Sequence, residues 1–318
     1  MGYSGTDGRE ALQRIVDYFD PDIIIFQEAK GTGPSDEFLA ANPDYEGYYS
    51  SGDGAHNRRM IMSKYDIIDE SVREYNLGEG SLRTMYAATI NLPGPRNIEV
   101  FTAHWSASSA SVRANESAES VSIIQAHNAT EPNSLYVYAG DFNDVDTSYR
   151  ITNLLDPNVG LNMFTPVDPN NHSNATINSD PEKSTYLDRR IDYVLPSDAI
   201  VSFGISGCIL NTWTYTAETI PAGLELTDTI KASDHLPLYV EIDIPNPGDL
   251  DGNGEIDLID FSLFTARWHD TGCNTLDNYC GEADINGDGK VGLVDLAEIT
   301  SHWLTCYLSP ESVCWKYP

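Results

Sequence analysis

The chain has 318 residues, 41% of them hydrophobic, and a formal net charge of -31 at pH 7. This length allows one large hydrophobic core and a small second domain, and the charge disfavours nonspecific binding to polyanions. The sequence contains no apolar run long enough to cross a membrane as a helix.

The chain opens on a polar, glycine-rich segment, residues 1–8, which leads into a helical pattern over residues 9–19. A buried strand is predicted next, in the segment DIIIFQEA at residues 22–29, because four consecutive apolar residues precede its polar end. The carboxylate of Glu28 lies at that end, where a sheet can hold it rigidly. Hard oxygen ligands of this kind suit Mg²⁺.

Four further segments place polar side chains beside a short apolar run: FTAHW at 101–105, YAGDFND at 138–144, RRIDYV at 189–194 and ASDHLP at 232–237. Asp141 and Asn143 are two residues apart, which on a strand puts both side chains on one face. One of them can take a proton and the other can orient phosphate or water. Asp234 and His235 are adjacent, so they must serve different partners. Asp192 is the residue best suited to steady an imidazole.

His104 has two interpretations, a hydrogen-bonded core histidine or a group that takes part in the chemistry. Because four other polar segments accompany it, we favour the chemical role. Arg58, Arg59 and Arg113 could contact phosphate, but surface arginines are more often solvated charges. We therefore leave the three arginines out of the predicted catalytic set.

In order and spacing, the five segments resemble the endonuclease/exonuclease/phosphatase superfamily over about residues 7–244. The resemblance implies a four-layer α/β sandwich, with two packed, mainly antiparallel sheets flanked by helices. It also implies a cleft that hydrolyses phosphodiesters with Mg²⁺ or Mn²⁺. This family begins with a strand that ends in an active-site asparagine, and residues 1–8 hold no such segment. We expect one truncation to have removed both that strand and a secretory signal.

The resemblance also implies individual roles. Glu28 is the principal metal ligand, and Asp234 binds metal or orients a catalytic imidazole. Asp141 activates or orients the attacking water, Asn143 contacts that water or the phosphate, and His235 contacts the scissile phosphate. In the deoxyribonuclease-like branch, a histidine at the place of His104 helps to protonate the leaving group or to bind phosphate.

The proline-containing segment at residues 245–248 is predicted to link a domain over residues 1–244 to a second over residues 249–318. A twelve-residue pattern, DLDGNGEIDLID at 249–260, recurs as DINGDGKVGLVD at 284–295. It predicts two Ca²⁺ loops, because side-chain oxygens fall at positions 1, 3, 5 and 12 and glycine at position 6 permits a sharp turn. The predicted loop residues are Asp249, Asp251, Asn253, Glu255, Asp257 and Asp260, then Asp284, Asn286, Asp288, Lys290 and Asp295.

Each loop precedes one helical pattern, so the tail resembles a type I dockerin over about residues 248–306. This resemblance implies attachment to a cohesin-like module or another surface partner. Gly292 occupies position 9 of the second loop, where the first has Asp257, so weaker Ca²⁺ binding is expected in the second. Apolar pairs at positions 10 and 11 of both loops either pack in the core or face an unknown partner: Leu258 with Ile259, and Leu293 with Val294.

Most of the cysteines lie in the tail, namely Cys273, Cys280, Cys306 and Cys314. They favour disulfides and an extracellular or cell-surface location, and metal ligation is the rival interpretation. Cys208 is predicted to be a buried thiol.

Three functions therefore remain open. The leading one is a secreted, divalent-metal-dependent phosphodiesterase, with a nuclease as one candidate. The second is hydrolysis of phospholipid or inositol phosphate head groups. The third is a catalytically inactive protein for calcium-dependent attachment.

Overall fold

The structure, a computed structural model, describes residues 6–29, 32–51, 58–81, 83–93, 96–131, 134–177, 189–274 and 277–304. Cys306 and Cys314, which the sequence assigns to disulfides, lie outside these residues. None of the described helices has the length and apolar character needed to span a bilayer.

One of the two inner layers of the large domain is a five-stranded sheet with the strand order β4-β5-β6-β7-β8. β6 and β7 are parallel and are joined through helix α3 (Ala110–Thr130), whereas the other neighbours are antiparallel. Side chains alternate along these strands, so Phe101 and Tyr138 pack on the α3 side while Val100 and Val137 pack on the opposite face. The strands are β4 (Arg73–Asn76), β5 (Thr84–Asn91), β6 (Asn97–His104), β7 (Leu135–Asp141) and β8 (Asp192–Pro196).

A second layer of strands packs on that opposite face, and it consists of two separate groups. One group has the order β1-β3-β2, and the other pairs β10 with β9. Alternation in β1 places Ile25 in the core between the two layers and Phe26 in a core with the outer helices. The strands are β1 (Ile23–Ala29), β2 (Glu46–Tyr49), β3 (Arg58–Ser63), β9 (Ile205–Ile209) and β10 (Leu238–Ile242).

Helices cover both outer faces, which confirms the predicted four-layer α/β sandwich. Val16 and Phe38 anchor two helices on the second layer, and Arg14 pairs with Asp228 at 2.6 Å to join a third helix to the first. Residues 6–8, expected in a polar loop, instead belong to the first of these helices. The helices of the large domain, besides α3, are α1 (Thr6–Phe19), α2 (Thr32–Ala41), α4 (Tyr149–Thr152), α5 (Asp198–Phe203) and α6 (Asp228–Ala232).

The C-terminal domain is a small all-α module with its own core, which includes Ile256, Phe264 and Ile299. Cys273 and Cys280 form a disulfide with their Cα atoms 5.0 Å apart, as the sequence predicts for cysteines of the tail. Cys208 of the large domain is free and half-buried. The helical segments of the module are α7 (Leu258–Ala266), α8 (Asn278–Gly281) and α9 (Leu293–Ser301).

Arg96 joins the two domains. Its buried guanidinium donates to the carbonyl oxygen of Pro245 and pairs with Glu282. The same group lies 5.4 Å from the ring centre of Phe203. The predicted linker is therefore held against the large domain at its first residue.

Candidate active site

His104, Asp141 and Asp192 are neighbours across three adjacent strands. His104 is opposite Asp141 in the parallel pair β6/β7, and Asp141 is opposite Asp192 in the antiparallel pair β7/β8. Residues in register share one face of a sheet. That face is the one toward the second layer, because Asp141 continues the alternation of Val137. β8 begins where β7 ends, since it runs in the opposite direction.

Asp141 is only 5% exposed, and a turn after β7 supplies its hydrogen bonds. The backbone N–H of Asn143 donates to Oδ1 at 2.8 Å, and its side-chain Nδ2 donates to Oδ2 at 3.1 Å. Nε2 of His104 lies 3.3 Å from the same Oδ2. The spacing of Asp141 and Asn143 predicts that both lie on the strand, but β7 ends at Asp141 and the backbone of Asn143 is left-handed, with φ 50°. Asparagine tolerates this conformation, so a turn rather than strand alternation brings the two side chains together.

The imidazole of His235 is hydrogen-bonded to the carboxylate of Asp192. Nδ1 of His235 donates to Oδ2 of Asp192 at 2.9 Å. Thr176 links their segments, since its Oγ1 accepts the N–H groups of Ile191 and Asp192 at 3.0 and 3.1 Å. The carbonyl oxygen of Thr176 also accepts the N–H of Leu236 at 2.8 Å. Thr176 thus positions both partners, although no sequence motif marks it.

The electrostatics of the three polar groups differ. Burial alone would lower the pKa of His235, but the charge and hydrogen bond of Asp192, with the charge of Asp141, raise it to about 9. Burial, reinforced by repulsion from Asp192, raises the pKa of Asp141 well above its usual range. Burial, with the nearby charges of Arg83 and Arg59, lowers the pKa of His104 to about 2. At neutral pH the imidazole of His235 is therefore charged and that of His104 is neutral.

Glu28 and Asp234, the predicted metal ligands, line the same cavity as these groups. Both are exposed, and Glu28 has φ 52° at a register shift of β1. In the large domain, the described residues include one group of potential ligands whose atoms all lie within 4.8 Å of one another: Asp141, Asp192 and His235. Glu28 and Asp234 are outside that group.

The two carboxylates of this group, rather than the charged imidazole of His235, fit a hard divalent cation. Two carboxylates, those of Asp141 and Asp192, stand close enough for one to raise the pKa of the other. A cation between such carboxylates relieves the repulsion and stabilises both ionised forms. Oxygen ligands favour Mg²⁺ or Mn²⁺ over softer metals.

Arg83 and Gln27 support the site, and neither was predicted from the sequence as a site residue. The guanidinium of Arg83 donates to the carbonyl oxygen of His104 at 3.2 Å and to that of Trp105. Nε2 of Gln27 donates to Oγ1 of Thr102 at 2.6 Å, which ties β1 to β6 beside the cleft. Their partners are backbone atoms or lie on remote strands, so no local pattern reveals them.

Asp144 follows the turn at Asn143 and forms ion pairs with two arginines. It pairs with Nε of Arg150 and lies 3.4 Å from Nε of Arg113. Arg113 also donates to the carbonyl oxygen of Ser106 at 2.7 Å, in the segment that follows β6. This network fixes the ends of β6 and β7 relative to each other.

The tail contains a second group of potential ligands, Asp249, Asp251 and Asp260, within 4.8 Å of one another. The buried carboxylate of Asp249 accepts the N–H groups of Asn253 at 3.1 Å and Gly254 at 2.9 Å. That of Asp260 accepts from Leu250 at 2.7 Å and from Asp257 at 2.7 Å. Burial raises the pKa of both acids, so a cation would stabilise their ionised forms.

The second loop repeats this arrangement. Asp284 accepts the N–H groups of Asp288 at 3.1 Å and Gly289 at 2.9 Å. Asp295 accepts those of Asn286 at 3.1 Å and Gly292 at 2.8 Å. Among the described residues, the acids of the second loop do not form such a group of three, and its position 3 is Asn286 where the first loop has Asp251.

The apolar pairs at loop positions 10 and 11 are exposed rather than packed in the core. The exposed fractions are 72% for Leu258, 52% for Ile259, 75% for Leu293 and 57% for Val294. Of the two alternatives that the sequence leaves open, the structure excludes burial in the module.

Comparisons with known proteins agree with this two-domain division. A family model described as the Endonuclease/Exonuclease/phosphatase family matches residues 3–235, and one described as the Dockerin type I domain matches residues 247–304. Truncated TDP2 of Caenorhabditis elegans is similar in structure, with a TM-score of 0.56, 16% identity, and coverage of 74% of this chain and 90% of that one. No curated protein matches the chain.

Two further solved structures are similar. The mannosyl-6-phosphatase Bt3783 of Bacteroides thetaiotaomicron VPI-5482 gives a TM-score of 0.54 at 17% identity, over 74% of this chain and 91% of that one. The human Nocturnin catalytic domain with bound sulfate anion gives 0.53 at 13% identity, over 76% and 88%. At such identities these likenesses show a common fold.

Proposed function

Because the chain belongs to the endonuclease/exonuclease/phosphatase family, whose members are hydrolases of phosphodiesters or phosphate esters, we propose that it is a secreted, Mg²⁺- or Mn²⁺-dependent phosphodiesterase. The observation that carries the proposal is the convergence of Asp141, Asp192 and His235 within one cavity, with Glu28 on the facing layer. Isolated acids at strand ends are common. Acids and an imidazole brought together by strand register are what diester hydrolysis requires.

Glu28 and the carboxylates of Asp141 and Asp192 would hold the metal ion. The exposed Asp234, which lines the same cavity, is the further predicted ligand. Bound there, a divalent cation supplies positive charge to the nonbridging oxygens of the phosphate. Asp141, which Asn143 orients by two hydrogen bonds, is placed to accept a proton from the attacking water.

The pair Asp192–His235 provides the second half of the chemistry. Asp192 accepts a hydrogen bond from Nδ1 of His235 and so fixes the orientation of the ring. Nε2 can then donate to a phosphate oxygen. The imidazolium is favoured at neutral pH, because the pKa of His235 is raised to about 9. A charged donor at this point stabilises the transition state more than the ground state. His104, for which the sequence favoured a chemical role, is instead buried and neutral beside Asp141, so we assign it the role of positioning that carboxylate.

The tail would attach this hydrolase to a partner. Two Ca²⁺ ions would order its loops, and the exposed pairs Leu258–Ile259 and Leu293–Val294 offer an apolar surface for a cohesin-like module. Apolar rather than small polar residues at these positions favour an apolar partner surface.

The test is turnover of a model phosphodiester by the full chain with Mg²⁺ and with excess chelator. We expect hydrolysis with the metal and none without it. His235→Ala should lower kcat with little change in KM, whereas His172→Ala, at an exposed histidine, should leave both unchanged. Parallel assays on DNA, sphingomyelin and an inositol phosphate identify the substrate class. Chelator-resistant turnover, or an effect of His235→Ala on KM alone, would contradict the assignment.

A further inference from the structure

The large domain and the C-terminal module are in contact near the beginning of β6. Arg96, just before this strand, has a side chain that is 8% exposed, and it pairs with Glu282 of the module, which is 17% exposed. The guanidinium also donates to the carbonyl oxygen of Pro245 and lies over the ring of Phe203. Burial of a charge is costly unless its partner is in place. The ion pair is therefore specific to one arrangement of the two domains.

Glu282 ends a turn with an unusual backbone. Residues 278–282, which include α8, all have a positive φ, between 53° and 68°. Four of the five are not glycine, and consecutive residues in this left-handed conformation are unfavourable for L-amino acids. Such residues persist where surrounding contacts enforce them, and they concentrate at functional positions. The 278–282 turn contains no predicted Ca²⁺ ligand, so its conformation needs another explanation.

The contacts that enforce the 278–282 turn also connect it to the second calcium loop. The disulfide between Cys273 and Cys280 fixes the middle of the turn. The carbonyl oxygen of Tyr279 accepts the N–H of Asp284 at 3.1 Å. Asp284 is the first predicted ligand of the second loop and follows Glu282 by two residues. A cation held by Asp284 would therefore restrain the position of Glu282.

Beside the ion pair, a cleft of about 1130 Å³ separates the two domains. The large domain lines it with residues that include Glu131 and Phe203, and the module lines it with residues 277–279. The two surfaces are therefore apart along this cleft, and the pair of Arg96 with Glu282 lies beside it. Loss of this pair should be enough to release the module.

We propose that the 278–282 turn docks the module on the large domain through Arg96, and that Ca²⁺ in the second loop holds it docked. β6 runs for 8 residues from Asn97, beside the contact, to His104 in the candidate active site, which is roughly 25 Å of extended chain. The module thus docks at the end of the strand remote from the cleft of the active site. Leu258 and Leu293 are exposed in this docked arrangement, so a partner can bind the module and hold the hydrolase in one orientation.

The coupling rests on the calcium loops of the proposed function, but docking does not require that the chain hydrolyse a diester. Hydrogen exchange of the full chain, with Ca²⁺ and with chelator, measures the coupling. We expect Ca²⁺ to slow exchange at least about tenfold in α5 of the large domain, although both calcium loops lie in the module. The centre of β7, which is paired on both sides, should not change. Exchange in α9 reports whether the second loop itself responds to the ion.

Glu282→Gln keeps the shape of the side chain and removes the charge that pairs with Arg96. In this variant α5 should lose most of its protection by Ca²⁺. The Ca²⁺ concentration for half-maximal protection of α9 should rise at least about fivefold, because docking and ion binding must favour each other equally. Glu298→Gln, at an exposed glutamate of α9, is the matched control and should behave as the original chain.

Three results would overturn the proposal. One is equal exchange in α5 with Ca²⁺ and with chelator while α9 responds to the ion, which would leave the calcium loops in place without docking. Another is an equal Ca²⁺ requirement of Glu282→Gln and Glu298→Gln. The third is no response to Ca²⁺ in either helix, in which case the calcium loops and the coupling both fail.

Discussion

The cleft and the calcium loops both gather carboxylates, but over different distances along the chain. Asp249 and Asp260 belong to one twelve-residue loop, whose own N–H groups hold them. Asp141, Asp192 and His235 come from three separate segments, and strand register brings them together. The loops therefore depend on local geometry and the cleft on the whole sandwich. Changes in the cleft should remove chemistry and spare the fold, and changes in the loops should do the reverse.

The largest expected effect is that of Asp141→Asn, which keeps the shape of the side chain but removes the proton acceptor. Turnover of a model diester with Mg²⁺ should fall about 10²- to 10⁴-fold. The thermal unfolding midpoint should stay close to that of the unmodified chain. Asp66→Asn, at an exposed carboxylate, is the control. Turnover within a factor of a few of the original would remove Asp141 from the chemistry.

The double variant Asp249→Ala with Asp284→Ala tests the loops. Residues 248–318, expressed alone and oxidised, should gain helical circular dichroism on addition of Ca²⁺, because repulsion among buried acids is relieved. The double variant should lose this gain, whereas Asp270→Ala, outside both loops, should keep it. Equal helicity with Ca²⁺ and with chelator would show that the module does not need the ion.

A smaller effect is expected of Glu28→Gln, which removes one charged ligand and leaves the rest of the cleft intact. The Mg²⁺ concentration for half-maximal turnover should rise about tenfold or more, with no loss of folded protein. Glu70→Gln changes an exposed glutamate elsewhere and serves as the control. An unchanged Mg²⁺ dependence would place Glu28 outside the metal site.

The smallest effect concerns Asp144. Burial would raise its pKa, but Arg150 and Arg113 together lower it below its usual range. Its ion pairs therefore stabilise the fold above the unfolded-state pKa of about 3.9, and this contribution disappears as the pH falls through the folded-state pKa. Asp144→Asn should lower the unfolding midpoint at neutral pH and make it fall less steeply below about pH 4. If the unfolding midpoints of the original chain and of Asp144→Asn depend on pH in the same way, the ion pairs of Asp144 do not contribute this pH dependence.

The sequence predicted whatever a short pattern encodes. The calcium loops and the strand that carries Glu28 follow from local motifs, and the four-layer fold follows from the family that those motifs resemble. The loop acids were predicted together because one twelve-residue pattern contains them. The short apolar runs in β6 and β7 likewise predict the strands that end at His104 and Asp141.

What the sequence could not predict depends on contacts between remote segments or on turns. Thr176 accepts the N–H of Asp192 with its hydroxyl oxygen and that of Leu236 with its carbonyl oxygen, and these backbone partners leave no signature in the sequence. Asn143 adopts a left-handed turn where simple alternation predicted a strand.

The most direct test of the contrast between the two regions is diester turnover by residues 1–244 compared with the full chain, each with Mg²⁺ and without Ca²⁺. We expect equal kcat and KM, since every candidate catalytic group precedes Pro245 and the calcium loops follow it. Loss of turnover in the shorter chain, a requirement for Ca²⁺ in the full one, or no hydrolysis by either would contradict it.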